Sequence, residues 1–382
     1  MINIAFTGGG TGGHIYPGLA VASELKKQLQ GFRIEGHQAG IEFRFVWIGS
    51  SSGMDRSIVE EAGIDFFAVP CGKLRRYFSL KTFLDFFKVI AGFFAARRIL
   101  KKLKVNILFS KGGFVSVPPC AAAASLGIRV FTHESDYSPG LATRLNVRFV
   151  SRTGGRVFTS YEDTKKYFKE SIRDRITVSG NPVRGDFKSA SAAKGRSFLG
   201  AGENERILLV LGGSQGADEI NELVRASLPE LNENYTVVHQ TGPGRQWDIG
   251  VSEKYKPYPY IKAEIPHVMA SAELVMGRSG AGIWEWAVSC KPMILLPLCG
   301  SGTRGDQVEN ARFFQNSGAA VVLPGGEINK NVFINTVRNL AQDTEKREAM
   351  AKASKKIGEC DGAVIIAKIL AQEITNAYGV RI

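Results

Sequence analysis

Residues 2–18 read INIAFTGGGTGGHIYPG, and this stretch decides the fold class of the chain. Residues 2–6 are short and mostly apolar, which predicts a buried strand. Pro17 is typical of a first helical turn. The apolar residues that follow recur with a helical spacing, at Leu19, Ala22, Leu25 and Leu29. A strand that leads through glycines into an amphipathic helix predicts an α/β fold of the doubly wound type.

The glycine turn at residues 8–13 is the first indication of function. Between a strand and a helix, such a turn presents backbone N–H groups at a positive helix end, which suits an anionic phosphate. The spacing Gly8-x-Gly10-x-x-Gly13 fits the dinucleotide fingerprint, although that match alone is weakly specific. His14 is an addition that the fingerprint does not require. Its ordinary pKa suits a general base, and capping of the helix is the alternative explanation.

The composition indicates a basic protein with room for two domains. The chain has 382 residues, and 49 Lys and Arg against 36 Asp and Glu give a net charge of +13. This surplus favours an anionic partner, which is a nucleic acid, an acidic membrane or a phosphorylated substrate; a merely basic soluble surface is the alternative. Five cysteines without a Cys-x-x-Cys spacing predict reduced thiols rather than disulfides or a zinc site.

The plan of strand and glycine turn recurs within the first half. A predicted strand at 105–110 leads into Lys111-Gly112-Gly113-Phe114, and another at 129–132 ends at His133-Glu134. Ligands of parallel sheets gather outside the carboxyl ends of the strands. We therefore expect Gly12, Gly113 and His133 to lie around one cleft.

The second half begins the pattern again. A predicted strand at 207–211 precedes the turn GGSQGA at 212–217, and a strand at 274–276 precedes the small-residue turn at 277–282. The chain is therefore expected to form two doubly wound units. We place the linker between them in the polar stretch 188–197, after the turn residues 180–184.

The turns of the second half have the chemistry of a nucleotide site. Loops at Gly213 and Gly280 can present N–H groups to phosphates, and Glu285 can accept both hydroxyls of a ribose. Arg184 or Arg278 can neutralise a phosphate. Tight strand–helix packing and a solvated glutamate are the structural alternatives.

Several other site classes are excluded or disfavoured. No turn ends in Gly-Lys-Ser/Thr, which excludes a P-loop, and the absence of Asp-x-Asp gives no indication of a metal–diphosphate site. The predicted strand at 43–48 ends in Gly49-Ser50, where an NAD enzyme needs an acidic residue.

An aromatic stripe occupies one face of a predicted helix. Phe83, Phe86, Phe87, Ile90 and Phe94 follow the spacing i, i+3, i+4, i+7 and i+11, and lysines and arginines surround them. Such a stripe is usually part of a core. Rings beside cations are also what a helix needs to lie in the headgroup layer of an anionic membrane. Nucleic-acid binding is a third option that no motif supports.

These motifs together resemble the MurG family of bacterial N-acetylglucosaminyltransferases, which is glycosyltransferase family 28. The resemblance rests on GGGTGGHIYPG at 8–18, GGFVS at 112–116, HE at 133–134, GNPVR at 180–184, GGSQGA at 212–217, RSGA at 278–281, DQ at 306–307 and NA at 310–311. It implies the α/β fold called GT-B, in which two Rossmann-like doubly wound parallel-sheet domains face a cleft. The implied domains are 1–179 for acceptor and membrane and 180–359 for UDP-GlcNAc, with a C-terminal helix at 360–382 that returns to the first domain.

The resemblance implies an inverting transfer of GlcNAc from UDP-GlcNAc to the muramyl 4-hydroxyl of lipid I, giving lipid II. The implied partners are UDP-GlcNAc, lipid I and the anionic inner leaflet of the cytoplasmic membrane, with no nucleic acid. The implied location is peripheral, on the cytoplasmic face of the inner membrane. No tightly bound cofactor and no metal ligand is expected, with non-specific stimulation by Mg²⁺ at most.

The family motifs also assign roles to residues of this sequence. His14 matches the proposed catalytic base. The implied donor-binding residues are Thr11, Gly12, Gly13, Asp136, Arg184, Ser214, Ile261, Arg278, Ala281, Gly282, Glu285 and Gln307. Gly113, Phe114, His133 and Glu134 match the acceptor side, and the stripe from Phe83 to Phe94 matches the membrane-association region.

The sequence departs from the family pattern at a few of these positions. Where the family usually reads His-Glu-Gln-Asn, this chain has Ser135 and Asp136 after His133-Glu134, and an ionised Asp136 can accept a hydrogen bond but not donate one. The paired glutamines of the family are Asp306 and Gln307 here, and the loop after Ala281 is one residue shorter.

Three alternative functions follow from these observations. A related transferase with another lipid acceptor, such as a diacylglycerol, is the first. A nucleotide-binding or membrane-tethered module without catalysis is the second, and an NAD oxidoreductase, which the end of the strand at 43–48 disfavours, is the third.

Overall fold

A computed structural model of the chain describes residues 1–30, 33–34, 42–51, 55–72, 80–213, 215–245, 253–300, 303–323, 328–378 and 380–381. For residues 33, 34, 80–84, 378, 380 and 381 it describes the backbone alone. The chain divides into two compact units. The first unit is Met1–Arg184 with Asp361–Ile382, and the second is Gly185–Cys360.

The first unit alternates strands and helices. Its strands are β1 (Ile2–Thr7), β2 (Arg33–Ile34), β3 (Phe43–Ser50), β4 (Asp65–Val69), β5 (Val105–Ser110), β6 (Arg129–Glu134), β7 (Val157–Thr159) and β8 (Ile176–Val178). Its helices are α1 (Gly12–Gln28), α2 (Asp55–Glu61), α3 (Leu80–Lys102), α4 (Val117–Ser125), α5 (Leu141–Thr153) and α6 (Glu170–Arg173), with 3₁₀ turns at Phe114–Ser116 and Glu162–Tyr167.

Within the described residues, seven of these strands form a sheet in the order β4-β3-β1-β5-β6-β7-β8, and every pairing is parallel. β1 lies between β3 and β5, with Ala5 opposite Val46 on one side and Leu108 on the other. These residues are fully buried because helices cover both faces of the sheet. The chain adds β3 and β4 on one side of β1, and then adds β5 to β8 on the other side. The carboxyl ends of β1 and β5 are therefore a topological switch point, where parallel sheets bind ligands.

The second unit repeats this architecture. Its strands are β9 (Ile207–Leu211), β10 (Thr236–Gln240), β11 (Tyr255–Tyr258), β12 (Leu274–Gly277), β13 (Met293–Leu295) and β14 (Ala320–Val322). Its helices are α7 (Ala192–Leu199), α8 (Asp218–Leu231), α9 (Ile265–Ser271), α10 (Ile283–Val288), α11 (Asp306–Asn316), α12 (Lys330–Gln342) and α13 (Thr344–Gly358), after a 3₁₀ turn at Gly185–Phe187. The described strands pair in parallel in the order β11-β10-β9-β12-β13-β14, so the switch point lies between β9 and β12.

The C-terminal segment belongs to the first unit. Helix α14 (Gly362–Tyr378) packs along α1, and strand β15 (Val380–Arg381) pairs antiparallel with β2. Ile366, Leu370 and Ile374 are fully buried in the same core as Ile15 and Leu25 of α1. The last helix thus covers one face of the first sheet.

The two predicted doubly wound parallel sheets are confirmed, and the differences lie at their margins. The sequence pattern does not predict the edge strands β11 and β14. β11 is hard to recognise because it is polar and contains Pro257, which an edge strand tolerates. β6 continues through Glu134, two residues beyond the predicted end. The predicted linker at 188–197 is wrong in its second half, since α7 begins at Ala192 and packs against α9. A polar exposed face made this short helix read as a linker.

Shortening Leu370 to alanine should destabilise the first unit. The side chain is fully buried between α14 and α1, and Leu370→Ala leaves a cavity that costs about 3 kcal/mol of unfolding free energy. Urea denaturation followed by circular dichroism measures this loss. Lys368→Ala, on the exposed face of the same helix, is the matched control and should change stability by less than about 0.5 kcal/mol. Equal effects of the two variants would show that α14 does not stabilise the unit.

Candidate active site

Two glycine turns meet at the switch point of the first unit. The turn after β1 contains Gly9, and the turn after β5 contains Gly113, which has a φ of 78°. A Cβ placed on Gly113 would lie 3.0 Å from the carbonyl oxygen of Gly9 and 3.4 Å from Cγ of His14. This close approach requires glycine at 113 and brings the second turn against the imidazole ring. The expected convergence of the first glycine turn and Gly113 is thus confirmed within the first unit.

An acidic side chain occupies part of the first turn. The Asp55 carboxylate, at the start of α2, accepts the N–H of Gly10, with 3.1 Å from the nitrogen to each oxygen. Burial raises the pKa of Asp55, while N–H groups of Gly10 and Ser50 favour its ionised form. The prediction that this turn cradles a phosphate is therefore wrong at Gly10, whose N–H already binds a carboxylate. Gly12 and Gly13, in the first turn of α1, remain candidates for contact with an anion.

His14 is held from two sides. Its Nδ1 lies 2.9 Å from Oγ1 of Thr11, and its ring packs on Gly113. Thr11 and Gly13 are exposed, and His14 is half-buried. Phe114 completes this corner, because its ring lies against Gly10. The imidazole therefore sits at the edge of the site in a defined orientation.

The end of β6 is built from two buried polar side chains. His133 is fully buried and its Nε2 donates to the carbonyl oxygen of Gly180 at 3.0 Å. Burial and the nearby ammonium of Lys111 lower the pKa of His133 well below its usual value, so the ring is neutral. The two carboxylate oxygens of Glu134 accept the N–H groups of Asp136 and Gly140, both at 3.0 Å. These contacts shape the loop that carries Asp136.

Arg184 lies in the first unit, at the end of the segment that His133 anchors. Its guanidinium carbon is 4.8 Å from the centre of the Tyr16 ring, a cation–π contact with the first turns of α1. The expected boundary at residue 180 would assign Arg184 to the second domain, whereas the first unit of the structure continues through Arg184. The arginine therefore packs on Tyr16 of α1, the helix that also contains His14.

The switch point of the second unit has more internal pairing than the glycine pattern suggests. α8 begins at Asp218, directly after the turn at 212–217, and its first turn contains Asp218 and Glu219. The Arg278 guanidinium binds Glu219 at 2.6 Å and donates to the carbonyl oxygen of Leu296 at 3.0 Å. Ser214 lies outside the described residues. Arg278 thus braces the loop after β12 in addition to any contact with a phosphate.

The other residues of this unit that were predicted to bind the sugar donor lie in or beside hydrogen-bonded loops. Gln307 accepts the N–H of Leu298 through its side chain at 2.9 Å, and its backbone oxygen accepts from Ser279 at 2.7 Å. The buried Ile261 donates its N–H to Gln240 at 3.0 Å. Ala281 and Gly282 directly precede α10, whose first turn holds the half-buried Glu285.

The structure places the aromatic stripe on the surface. Phe86 and Phe87 are each 53% exposed, Ile90 is 40% exposed and Phe94 is 63% exposed, so these side chains are not core. The side chain of Phe83 lies outside the described residues, although its backbone is in α3. Six exposed cations accompany the stripe: Lys88, Arg97, Arg98, Lys101, Lys102 and Lys104. Among the helices described, none combines the length and apolarity needed to cross a bilayer.

Two site residues escaped the sequence analysis. Asp55 follows a glycine–serine stretch. The only feature of the sequence that could have indicated it as a site residue is a carboxylate at the start of a helix, near the switch point of a parallel sheet. Lys111 is fully buried at the end of β5, and its signal is a charge between an apolar strand and two glycines.

Two sequence models of one family cover most of the chain. The model described as "Glycosyltransferase family 28 N-terminal domain" matches residues 4–154, and "Glycosyltransferase family 28 C-terminal domain" matches residues 207–364. The chain belongs to glycosyltransferase family 28. Its two Rossmann-like parallel sheets agree with the predicted GT-B class.

Named relatives agree with this family, and a solved structure agrees with the fold. A protein of Treponema denticola named UDP-N-acetylglucosamine--N-acetylmuramyl-(pentapeptide) pyrophosphoryl-undecaprenol N-acetylglucosamine transferase is 44% identical, over 98% of each chain. The protein of the same name from Staphylococcus carnosus is 38% identical, over 91% of this chain and 92% of that one. The crystal structure of Acinetobacter baumannii MurG superposes with a TM-score of 0.70 at 22% identity, covering 98% of this chain and 100% of that one, which supports the fold.

A methyl group on Gly113 should displace the His14 ring. Gly113→Ala forces the Cβ against His14 and Gly9, whereas Gly127→Ala has a similar positive φ of 71° and meets nothing within 4 Å. Both variants should lose about 1 kcal/mol of stability through the strained backbone. Only Gly113→Ala should move the imidazole NMR signals of His14, which are identified by their loss in His14→Gln. Unmoved signals in Gly113→Ala would contradict the packing of these two turns.

Proposed function

We propose that this protein transfers GlcNAc from UDP-GlcNAc to the muramyl 4-hydroxyl of lipid I, with inversion, to form lipid II. The observation that carries the chemistry is the placement of His14 between Thr11 and the Gly113 turn. The named relatives support the substrates, since they are muramyl-pentapeptide pyrophosphoryl-undecaprenol transferases at near full-length similarity. Their names favour this acceptor over a diacylglycerol.

The hydrogen bond at Nδ1 defines how His14 acts as a base. In the tautomer with the proton on Nδ1, the ring donates to Oγ1 of Thr11, and Nε2 carries the lone pair. Nε2 accepts the proton of the acceptor hydroxyl as its oxygen attacks C1 of GlcNAc. The bond from C1 to the diphosphate breaks on the opposite face, and UDP leaves with the electron pair. The sugar passes through a transition state of oxocarbenium character.

We propose that positive groups of the first unit stabilise the departing diphosphate. Gly12 and Gly13 present N–H groups at the start of the 17-residue helix α1, and Arg184 packs on the same helix through Tyr16. We propose that these groups supply the counter-charge, so that no tightly bound cofactor is needed and Mg²⁺ stimulates non-specifically.

The second unit is proposed to bind the nucleoside end of the donor. Ile261 would contact the uracil, Glu285 would accept the ribose hydroxyls, and Gln307 with the loop at 278–282 would contact the phosphates. The hydrogen bonds through Gln240, Ser279 and Leu298 support this proposal, because they order these loops without a ligand.

The exposed aromatic stripe is proposed to place the protein on the cytoplasmic face of the inner membrane. Its rings would enter the headgroup layer, and the neighbouring cations would bind anionic lipids of the inner leaflet. Each cation near such a surface contributes about 1 kcal/mol, which adds to the gain from burying the exposed rings.

Removing the imidazole should abolish most of the turnover and leave donor binding intact. We expect His14→Ala to lower kcat by roughly 10²–10⁴-fold, since a positioned base contributes that much, with the Kd for UDP-GlcNAc within about threefold. The assay is UDP release with a short-chain lipid I analogue. Thr11→Val should lower kcat about tenfold, because the Nδ1–H group of His14 loses its hydrogen-bond acceptor. Thr11→Ser, which keeps the hydroxyl, should retain activity. An unchanged kcat in His14→Ala would refute the base, and no UDP release by the wild type would refute the function.

Polar substitutions in the stripe should weaken membrane binding without affecting chemistry on a soluble acceptor. Phe87→Ser/Phe94→Ser removes two exposed rings, and we expect roughly tenfold less protein to sediment with anionic vesicles. Phe198→Ser/Val332→Ser, which changes two exposed apolar residues of the second unit, is the matched control and should sediment like the wild type. Equal sedimentation of both double variants would show that α3 is not the membrane surface.

A further inference from the structure

Lys111 is a fully buried lysine between the two turns of the first unit. It directly follows β5, and its backbone N–H donates to Thr7 of β1 at 2.8 Å. Its Cβ lies 3.2 Å from the position that a Cβ on Gly8 would occupy, so its side chain starts beside the first glycine turn. Its ammonium donates a hydrogen bond to the hydroxyl of Ser135. The charge is therefore placed inside the loop that follows β6.

The groups around this ammonium are mainly acidic. Burial lowers the pKa of Lys111 to about 8, and the carboxylates of Glu134 and Asp136 oppose that shift. His133 at the end of β6 is neutral, Asp55 at the start of α2 binds the adjoining first glycine turn, and His14 lies in the first turn of α1. Glu134 already accepts two backbone N–H groups. Lys111 is thus an internal counter-ion for a loop with two carboxylates.

Packing alone does not account for a lysine at this position. An ammonium with a hydroxyl partner is costly to bury, and a methionine of similar length would fill the same space without that cost. The cost is explained by the neighbouring residues. The loop that follows Glu134 begins with Ser135 and Asp136, which carry a hydroxyl and a carboxylate. Lys111 binds the first of these residues and balances the charge of the second.

We propose that Lys111 is a positioning residue of the donor-sugar site, which acts through Ser135 and Asp136. The ammonium orders the loop that carries Asp136, so that the carboxylate accepts a hydrogen bond from a hydroxyl of the donor sugar. This inference rests on the proposed function, and it takes Asp136, which the family resemblance implies as a donor-binding residue, as the contact to GlcNAc.

A cycle of variants tests whether Lys111, Ser135 and Asp136 act as one unit. Lys111→Met leaves the loop with uncompensated charge, and we expect the KM for UDP-GlcNAc to rise roughly 10- to 100-fold, with a smaller change in kcat. The triple variant Lys111→Met/Ser135→Gln/Asp136→Asn should restore the KM to within about threefold. Ser135→Gln/Asp136→Asn with Lys111 retained should be impaired, because the ammonium then loses the hydroxyl of Ser135 and the charge of Asp136 and keeps only that of Glu134.

A second buried lysine provides the matched control. Lys291 in the second unit also has its pKa lowered to about 8 by burial, and it donates to the carbonyl oxygens of Ala270 and Ala272. Lys291→Met should change thermal stability but leave the KM for UDP-GlcNAc unchanged. A Lys111→Met protein that also changes only in stability, or a triple variant no better than the single one, would overturn the proposal.

The pH dependence gives an independent readout. The protonated form of Lys111 predominates below pH about 8, so the wild-type KM for UDP-GlcNAc should rise as the pH passes through that value. The triple variant lacks this group and should show a smaller rise, due only to groups common to both proteins. Identical pH profiles of the two proteins would contradict the role of the ammonium.

Donor binding and transfer are measured separately so that the two proposals fail in different ways. Calorimetric titration with UDP-GlcNAc follows the variant cycle without an acceptor, and UDP release with a lipid I analogue reports transfer. Binding with the expected cycle but no transfer supports Lys111 and refutes the proposed acceptor. If transfer occurs but the effects of the substitutions on donor binding are additive, the proposed function is supported and the positioning role of Lys111 is refuted. A wild type that does not bind UDP-GlcNAc refutes both proposals.

Discussion

The approach of the Gly113 turn to Gly9 and to the ring of His14 is the contact on which the site of the first unit depends. The two turns are distant in the sequence and become neighbours because β1 and β5 pair in parallel. At 3.0 Å from a carbonyl oxygen there is no room for a side chain. The imidazole ring is thereby supported on one face by backbone, while Thr11 holds Nδ1.

A layer of buried polar groups supports the residues at the surface of this site. Asp55, Lys111, His133 and Glu134 are all less than a tenth exposed, and each has hydrogen-bond partners within the first unit. Buried polar groups are costly unless they are paired, so these hydrogen bonds stabilise the inner layer. The residues that would meet substrates, including Thr11, Asp136 and Arg184, lie outside it and take their positions from it.

The sequence predicted the parts of the fold that are governed by local pattern. Central strands such as Ile207–Leu211 are buried on both faces and read as continuous apolar runs, and the glycine turns mark their carboxyl ends. The edge strand β11 escaped prediction because its polar residues and Pro257 are tolerated only where one side lacks a partner. The stripe from Phe86 to Phe94 had two explanations, because helical spacing shows that residues share a face but not what covers that face.

The sequence by itself determined the doubled α/β plan, the candidate base His14 and the family, since these depend on residue types at short spacings. Only the tertiary structure decided which polar groups satisfy one another. The N–H of Gly10 binds Asp55, Arg278 binds Glu219, and Lys111 binds Ser135. Each pair joins segments that meet only when strands and helices assemble. Because the energy of a buried charge depends on its neighbours in space, no local pattern of residues could have assigned these partners.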